Sequence, residues 1–113
     1  ETYLQQDDLN LVLTGVCDVF DTRREQGIAS STAAIRPNGV AQQTTPAKGY
    51  LDYQDLLASD DIDAVIITTP DHWHSTIAID AERAGKHVYV EKCMTRTMEE
   101  ARAMYTAFNG SKM

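Results

Sequence analysis

Three groups of polar side chains could carry chemistry, and each directly follows a largely apolar segment. When apolar segments form parallel strands, the residues just after them meet at one edge of the sheet, where open α/β folds bind their ligands. We therefore treat these groups as candidate functional residues. They are Asp18, residues 68–74 (Thr-Thr-Pro-Asp-His-Trp-His), and the pair Glu91 and Lys92.

Asp18 has the position of an acid that binds a ribose. In dinucleotide-binding folds, a carboxylate after the second strand accepts hydrogen bonds from the adenosine ribose and repels a 2′-phosphate, which selects NAD over NADP. Position alone favours the alternative, a turn or N-cap aspartate. Arg23 could stack on adenine or lie solvated in the first turn of a helix. Arg23 and Arg24 also weaken the selection for NAD, since arginine can accommodate a 2′-phosphate.

Residues 68–74 include the sequence His-Trp-His, which suggests a metal site. A third ligand at suitable spacing is not evident, because His87 is predicted to begin a strand, so we do not expect zinc. For His74 the alternative is a ring nitrogen that bonds to a loop carbonyl, and for Trp73 it is simple packing. Among the residues of this segment, Thr68, Thr69, Pro70 and His74 are kept as candidates for ligand contact.

Glu91 and Lys92 follow the last apolar segment. A lysine held partly out of water can transfer a proton or orient a hydroxyl, and Glu91 could hold it in place. A surface ion pair is the more common outcome for adjacent Glu and Lys residues. The chain contains neither a P-loop nor a Gly-x-Gly-x-x-Gly sequence.

Four predicted strands and four predicted helices alternate along the chain, which predicts an α/β fold with a parallel sheet and flanking helices. The apolar residues of the strands are consecutive, so we expect strands that are buried on both faces. The loop at residues 70–74 separates the third strand from its helix. Predicted strands cover residues 9–19, 50–51, 63–69 and 87–90; predicted helices begin at Asp21 as N-cap, after Asp52, near Ser75 and after Thr97.

Two helix ends have clear signals. Gly85 follows the third predicted helix at the position of a C′ glycine. Thr97 and Glu100 have the spacing of a capping box, which predicts a helix that ends near Asn109.

Composition excludes several classes of protein. The chain has 113 residues, which is at most one small domain, with 10 basic and 17 acidic side chains and a net charge of −7. That acidity argues against nucleic acid and anionic membranes as partners. The longest strongly apolar run, Ala64–Ile67, is far shorter than the roughly 20 residues of a membrane span. Cys17 and Cys93 are too distant in sequence for a Cys-x-x-Cys motif, and we interpret both as structural thiols.

Four segments in order resemble the cofactor domain of the Gfo/Idh/MocA oxidoreductases, the family of glucose–fructose oxidoreductase and inositol dehydrogenase. The resemblance covers nearly the whole chain except residues 37–48. The segments are 16–18 (Val-Cys-Asp), 50–57 (Tyr-Leu-Asp-Tyr-Gln-Asp-Leu-Leu), 61–74 (Asp-Ile-Asp-Ala-Val-Ile-Ile-Thr-Thr-Pro-Asp-His-Trp-His) and 84–92 (Ala-Gly-Lys-His-Val-Tyr-Val-Glu-Lys).

The resemblance implies a Rossmann domain that binds NAD, with NADP as a possible second cofactor, and a separate substrate domain. It implies that Asp18 holds the adenosine ribose and that Arg23 flanks the adenine. Glu91 and Lys92 match a Glu-Lys-Pro motif whose lysine, the expected catalytic residue, reaches the nicotinamide ribose and the substrate hydroxyl. The residues implied to line the dinucleotide are Thr68, Thr69, Pro70, His74, Glu91 and Lys92.

Two features depart from the family pattern. Cys93 stands where the family usually has a proline, often after a cis bond; a cis bond before another residue costs about 3 kcal/mol, so we expect a trans bond or a strained loop. The glycine fingerprint should precede Asp18 by about 20 residues, which places it before residue 1. We therefore expect residues 1–113 to be a partial dinucleotide-binding domain that lacks its first strand and glycine-rich turn and binds NAD weakly or not at all alone.

The complete protein is expected to oxidise a hydroxyl of a sugar, polyol or related compound by hydride transfer. Alternatives are NAD-dependent glycoside cleavage, and a non-catalytic α/β module whose sheet edges recruit another chain. We expect a carbohydrate substrate, a homo-oligomer and a cytoplasmic location. Export is the alternative, since a signal segment would precede residue 1.

Overall fold

A computed structural model describes residues 11–33, 35, 39, 41 and 43–111. Strands and helices alternate as predicted, and paired strands run parallel, which confirms the α/β fold. The chain divides into two compact units, Glu1–Leu56 and Leu57–Met113. The elements are β1 (Gly15–Cys17), α1 (Asp21–Ala33), β2 (Lys48–Tyr50), α2 (Tyr53–Leu57), β3 (Ala64–Ile67), α3 (Asp71–Arg83), β4 (His87–Val90) and α4 (Met98–Phe108).

The first unit is a β-α-β arrangement in which α1 packs against both strands. β1 and β2 pair in register from Gly15 opposite Lys48 to Cys17 opposite Tyr50. Gly27 lets α1 approach β1 closely: a Cβ atom there would lie 2.7 Å from Cγ1 of Val16. The helix and the start of β2 are joined by Ser31, which is fully buried and whose Oγ accepts the backbone N–H of Ala47 at 2.9 Å.

The strand predicted at residues 9–19 is shorter than expected. Residues 9–10 lie outside the described residues, and the strand covers only Gly15–Cys17. Ahead of it, the side chain of Gln43 takes both backbone groups of Leu13: Oε1 accepts its N–H at 2.8 Å and Nε2 donates to its carbonyl at 3.0 Å. The polar groups that a strand would offer to a neighbour are therefore satisfied by one amide side chain.

Helix α1 begins as predicted, but Asp21 is its first residue rather than its cap. The backbone N–H of Arg24 donates to the carbonyl of Phe20 at 3.0 Å, so Phe20 has the N-cap position. Asp21 instead pairs through Oδ1 with Nη2 of Arg24 at 2.5 Å. The prediction for α2 is confirmed, since Oδ1 of Asp52 accepts the N–H of Gln54 at 2.8 Å.

In the second unit, β3 and β4 pair in register from Ala64 opposite His87 to Ile67 opposite Val90. Helix α3 packs against both strands and against α4. Ala78 and Ala81 of α3 have no exposed surface, because small side chains let the neighbouring elements approach. The other buried apolar residues of this unit are Leu57, Ile62, Ile67, Ile77 and Met104.

Residues 70–74 are not the predicted loop, because α3 begins at Asp71. Pro70 is the N-cap, with φ −55° and ψ 141°. A proline has its φ fixed near the helical value and needs no hydrogen bond for its nitrogen, so it suits the start of a helix. Its carbonyl accepts the N–H of Trp73 at 2.9 Å.

The C-terminus of α3 confirms the prediction for Gly85, whose φ is +74°. The N–H of Gly85 donates to the carbonyl of Glu82, and the N–H of Lys86 donates to that of Ala81, both at 2.9 Å. This is the Schellman arrangement, which satisfies the last carbonyls of a helix.

The strands are less buried than predicted. Ile66 is 68% exposed and its register partner Tyr89 is 59% exposed, whereas Ile67 is buried. Successive side chains of a strand lie on opposite faces of the sheet. Within this unit, α3 covers one face of the two strands and leaves the face of Ile66 and Tyr89 exposed.

The capping box of α4 is confirmed. Oγ1 of Thr97 accepts the N–H of Glu100 at 3.1 Å, and Oε2 of Glu100 accepts the N–H of Thr97 at 3.1 Å. None of the helices within the described residues is long and apolar enough to cross a membrane.

Thr97→Ala is expected to lower the free energy of unfolding of the chain by about 1 kcal/mol, because it removes the acceptor for an otherwise unpaired helical N–H. Thr106→Ala is the matched control. It removes a hydroxyl in mid-helix that bonds only to the carbonyl of Arg102. Urea unfolding of both variants measures the difference, and an equal loss would contradict the role of the cap.

Candidate functional site

Asp18 lies at the carboxyl end of β1 and shapes the turn into α1. Its N–H donates to the carbonyl of Tyr50 at 3.3 Å, and its Oδ1 accepts the N–H of Phe20 at 2.8 Å. Asp18 therefore has the role of a turn aspartate, the alternative that its position alone favoured. The carboxylate is half-buried, and within the described residues this is the one hydrogen bond that it makes.

Arg24, rather than Arg23, is held against the end of β1. Its Nη1 donates to the carbonyl of Asp18 at 2.7 Å and its Nη2 to Asp21. Arg23 is exposed and makes no hydrogen bond to the described part of the chain. From the sequence, Arg23 was the arginine predicted to contact the ligand, whereas Arg24 was expected only to weaken the selection for NAD. The signal that indicates the pairing of Arg24 is its spacing of three residues from Asp21.

Cys17 ends β1 beside these charges. Burial raises the pKa of the Cys17 thiol, and the carboxylates of Asp52 and Asp18 raise it further, against a smaller opposing effect of Arg24. The thiol therefore favours its protonated form in the folded chain, and thiols in that form are poor nucleophiles.

The raised pKa predicts a loss of stability at alkaline pH. The folded chain binds the Cys17 proton more tightly than the unfolded chain, so this contribution is complete below about pH 8.5, the ordinary thiol pKa, and is lost as the pH rises through the folded pKa. The free energy of unfolding should fall more steeply above this pH in the wild type than in Cys17→Ala. Denaturant titrations at several pH values test this, with Cys93→Ala, which removes an exposed thiol, as the control.

The residues after β3 are exposed and lead into α3. Thr68, Thr69 and Pro70 follow the buried Ile67, and all three have exposed surface. This segment presents two hydroxyl groups and a proline at the carboxyl end of the strand. The two hydroxyl groups are uncharged donors and acceptors, which suit contact with a polar ligand.

His74 has its ring inside the unit, with 1% of its surface exposed. Nδ1 lies 2.8 Å from the carbonyl oxygen of Cys93, and Nε2 lies 2.7 Å from the carbonyl oxygen of Thr69. The alternative reading of His74, a ring nitrogen that bonds to a loop carbonyl, is therefore observed at both nitrogens.

Glu91 and Lys92 follow β4 but do not form the surface ion pair. Oε2 of Glu91 accepts the backbone N–H of Lys92 at 2.9 Å, and the N–H of Glu91 donates to the carbonyl of Ile67 at 3.0 Å. The Lys92 side chain is exposed, and in the described parts of the chain no carboxylate lies within ion-pair distance of Nζ. Its amino group is available to a ligand.

The peptide bond between Lys92 and Cys93 is cis. Of the two alternatives that we expected, a trans bond or a strained loop, the trans bond is therefore wrong. An isolated peptide bond between two residues other than proline prefers the trans form. In the folded chain the carbonyl of Cys93 also meets the ring of His74, a tertiary contact that the sequence does not show.

The described residues contain no group of three or more His, Cys, Asp and Glu side chains that could hold a metal ion. The two nitrogens of His74 are taken by carbonyl groups. His72 lies 4.0 Å from the carboxylate of Asp71 at the surface.

Parallel strands linked by helices, with polar residues after each strand, are typical of domains of the Rossmann class. The sequence model of the GFO_IDH_MocA family, described as an oxidoreductase family with an NAD-binding Rossmann fold, matches residues 3–112. The chain belongs to this Gfo/Idh/MocA oxidoreductase family.

Among curated relatives, a glycosyl hydrolase family 109 protein of Shewanella putrefaciens is 40% identical over 88 residues. The match covers 78% of this chain and 18% of that protein, so the chain spans about a fifth of the length of this relative.

Solved dehydrogenases have a similar fold. The WlbA dehydrogenase of Chromobacterium violaceum, solved with NADH and UDP-GlcNAcA, is 30% identical with a TM-score of 0.72, over 89% of this chain and 25% of that one. Levoglucosan dehydrogenase, solved with NADH and levoglucosan, is 28% identical with a TM-score of 0.69, over 88% and 24%. The myo-inositol 2-dehydrogenase of Lactobacillus plantarum, at 22% identity, supports the fold alone, with a TM-score of 0.76 over 97% and 29%.

Proposed function

We propose that this chain is the cofactor-binding part of an NAD(P)-dependent oxidoreductase that oxidises a hydroxyl of a sugar, polyol or related compound by hydride transfer. The observation that carries the proposal is the exposed Lys92 directly after β4, with its amino group free of any carboxylate among the described residues. Similarity to dehydrogenases solved with NADH and sugar ligands supports the choice of substrate class.

Each unit offers side chains that could contact a nicotinamide dinucleotide. In this proposal the half-buried carboxylate of Asp18 accepts hydrogen bonds from the adenosine ribose, and the exposed Arg23 flanks the adenine. The exposed hydroxyls of Thr68 and Thr69, with Pro70, line the dinucleotide. An acid after a strand, such as Asp18 after β1, is the residue type that binds the adenosine ribose in folds of this class.

The contacts of Arg24 favour NAD over NADP. A 2′-phosphate needs a cation that can turn toward it, and both terminal nitrogens of Arg24 already donate to Asp18 and Asp21. The carboxylate of Asp18 repels the phosphate as well. The exposed Arg23 is the side chain that could still accept NADP.

A bound NAD would accept the hydride that leaves the substrate carbon. The proton of the substrate hydroxyl leaves separately. We assign to Lys92 both the orientation of this hydroxyl and the transfer of its proton. Glu91 acts on the backbone of this residue, because its carboxylate accepts the N–H of Lys92. The substrate domain of the complete protein would bind the rest of the substrate.

Asp18→Ala in the complete protein tests the cofactor assignment. Loss of hydrogen bonds to a charged acceptor, worth about 1.5–3 kcal/mol, should weaken NAD binding by roughly 10-fold to 150-fold and narrow the preference over NADP. Asp60→Asn, which changes an exposed acid in the turn after α2, is the control. Calorimetry measures the dissociation constants of NAD and NADP for both variants. Unchanged NAD affinity in Asp18→Ala would contradict the assignment.

Glycoside cleavage with transient oxidation by NAD is the second candidate. The 40% identity to a protein named for glycosyl hydrolase family 109 favours it. The two reactions differ in their balance of electrons: a dehydrogenase accumulates NADH, whereas a transient oxidation returns NAD at the end of each cycle. Absorbance of NADH during turnover by the complete protein separates them.

A further inference from the structure

His74 has a contact pattern that simple packing does not require. It lies in the first turn of α3, on neither of the two segments it bonds to, and its ring is 1% exposed. Its partners are the carbonyl of Thr69 at the carboxyl end of β3 and the carbonyl of Cys93, directly after Lys92. One ring therefore joins the two segments of this unit to which the proposed function assigns ligand contacts.

Both partners of the ring are acceptors that cannot donate. A neutral imidazole carries one N–H and can satisfy one carbonyl, whereas an imidazolium carries two and satisfies both. The two distances, 2.7 and 2.8 Å, are those of N–H···O hydrogen bonds. Both contacts can be hydrogen bonds only if each ring nitrogen carries a proton.

We infer that His74 is a positioning residue that donates from both ring nitrogens and thereby holds the Lys92–Cys93 loop against the end of β3. It acts through the backbone of Thr69 and Cys93, not by contact with the dinucleotide. The two contacts of the His74 ring, with the carbonyls of Thr69 and Cys93, form a bridge between the two segments. The role of Lys92 rests on the proposed function, but this bridge does not.

The proton count can be measured directly in the wild-type chain. Nitrogen-15 NMR of the imidazole ring at pH 6 should show both nitrogens of His74 with the shift of a protonated nitrogen and with slow exchange of their hydrogens. A ring with one nitrogen of the unprotonated type would overturn the inference. Because no NAD is present, this result is independent of whether the proposed function holds.

A variant tests whether the bridge holds the loop. In His74→Gln at most one of the two carbonyls keeps its donor, and loss of one hydrogen bond should raise the rate of tryptic cleavage after Lys92 by about tenfold. Cleavage after Lys86 and Arg102 reports on unfolding of the whole unit and should change much less. His87→Gln, which alters an exposed ring at the first residue of β4, is the matched control.

Selective acceleration after Lys92 supports the inference. Unchanged cleavage would overturn it, and so would equal acceleration at all three sites, because the ring would then contribute only general stability. NAD affinity of the complete protein, measured in parallel by calorimetry, tests the proposed function and not the role of His74. A failure there would leave the NMR and proteolysis results as they stand.

Discussion

Lys92→Met is expected to lower kcat of the complete protein by about 10²-fold to 10⁴-fold, the usual loss when a positioned proton-transfer group is removed. Methionine keeps most of the length and the apolar part of the side chain but carries no amino group. Since Lys92 is exposed and makes no ion pair with the described carboxylates, its removal should leave the fold intact. Steady-state kinetics with NAD and the substrate measure the effect.

Lys48→Met is the matched control for this prediction. Lys48 is an exposed lysine at the first residue of β2, and its amino group lies over the ring of Tyr50, 4.8 Å from the centroid. It has no place in the proposed chemistry, so kcat should stay within about twofold of the wild type, with a stability loss of at most about 1 kcal/mol. A similar fall of kcat in both variants would mean that the effect of Lys92 is not chemical.

Gly27→Val should lower the free energy of unfolding of the chain by about 1–3 kcal/mol, the usual cost of overpacking. A Cβ atom at this position would lie 2.7 Å from Cγ1 and 3.3 Å from Cγ2 of Val16. Valine side chains have little rotational freedom, so Val16 cannot turn aside, and α1 must move away from β1. Urea unfolding measures the change.

Two further variants identify the contact as the cause. Ala29→Val places the same side chain on the exposed side of α1 and should cost less than about 1 kcal/mol, mainly through helix propensity. In a Val16→Ala background the clashing atoms are gone, so Gly27→Val should cost less there than in the wild type. An equal cost in both backgrounds would show that the close approach of α1 to β1 is not responsible.

Local signals predicted most of the second unit correctly. The Thr97 and Glu100 capping box and the C′ position of Gly85 depend on residues within a few positions of each other, and both are present. The strand His87–Val90 has the predicted bounds. Such features are decided by backbone hydrogen bonds at short range, which a single sequence records.

Predictions of burial and of precise ends were less accurate. The first strand is three residues long because Gln43 satisfies the backbone of Leu13 from 30 residues away. Apolar composition predicted two buried faces for β3 and β4, yet Ile66 and Tyr89 are exposed, because α3 covers one face only in this unit. Composition describes what a strand could bury, and the packing partners decide what it does bury.

The alternation of strands and helices, their parallel pairing and the residues that follow each strand could all be predicted from the amino-acid sequence. Four ordered motifs also indicated the family. Three features became visible only in the folded chain: Arg24 and not Arg23 is held at the end of β1, the bond after Lys92 is cis, and His74 bridges Thr69 and Cys93. Strand and helix signals are local, whereas the bond from His74 to Cys93 joins residues 19 positions apart and exists only once β3, α3 and β4 have packed together.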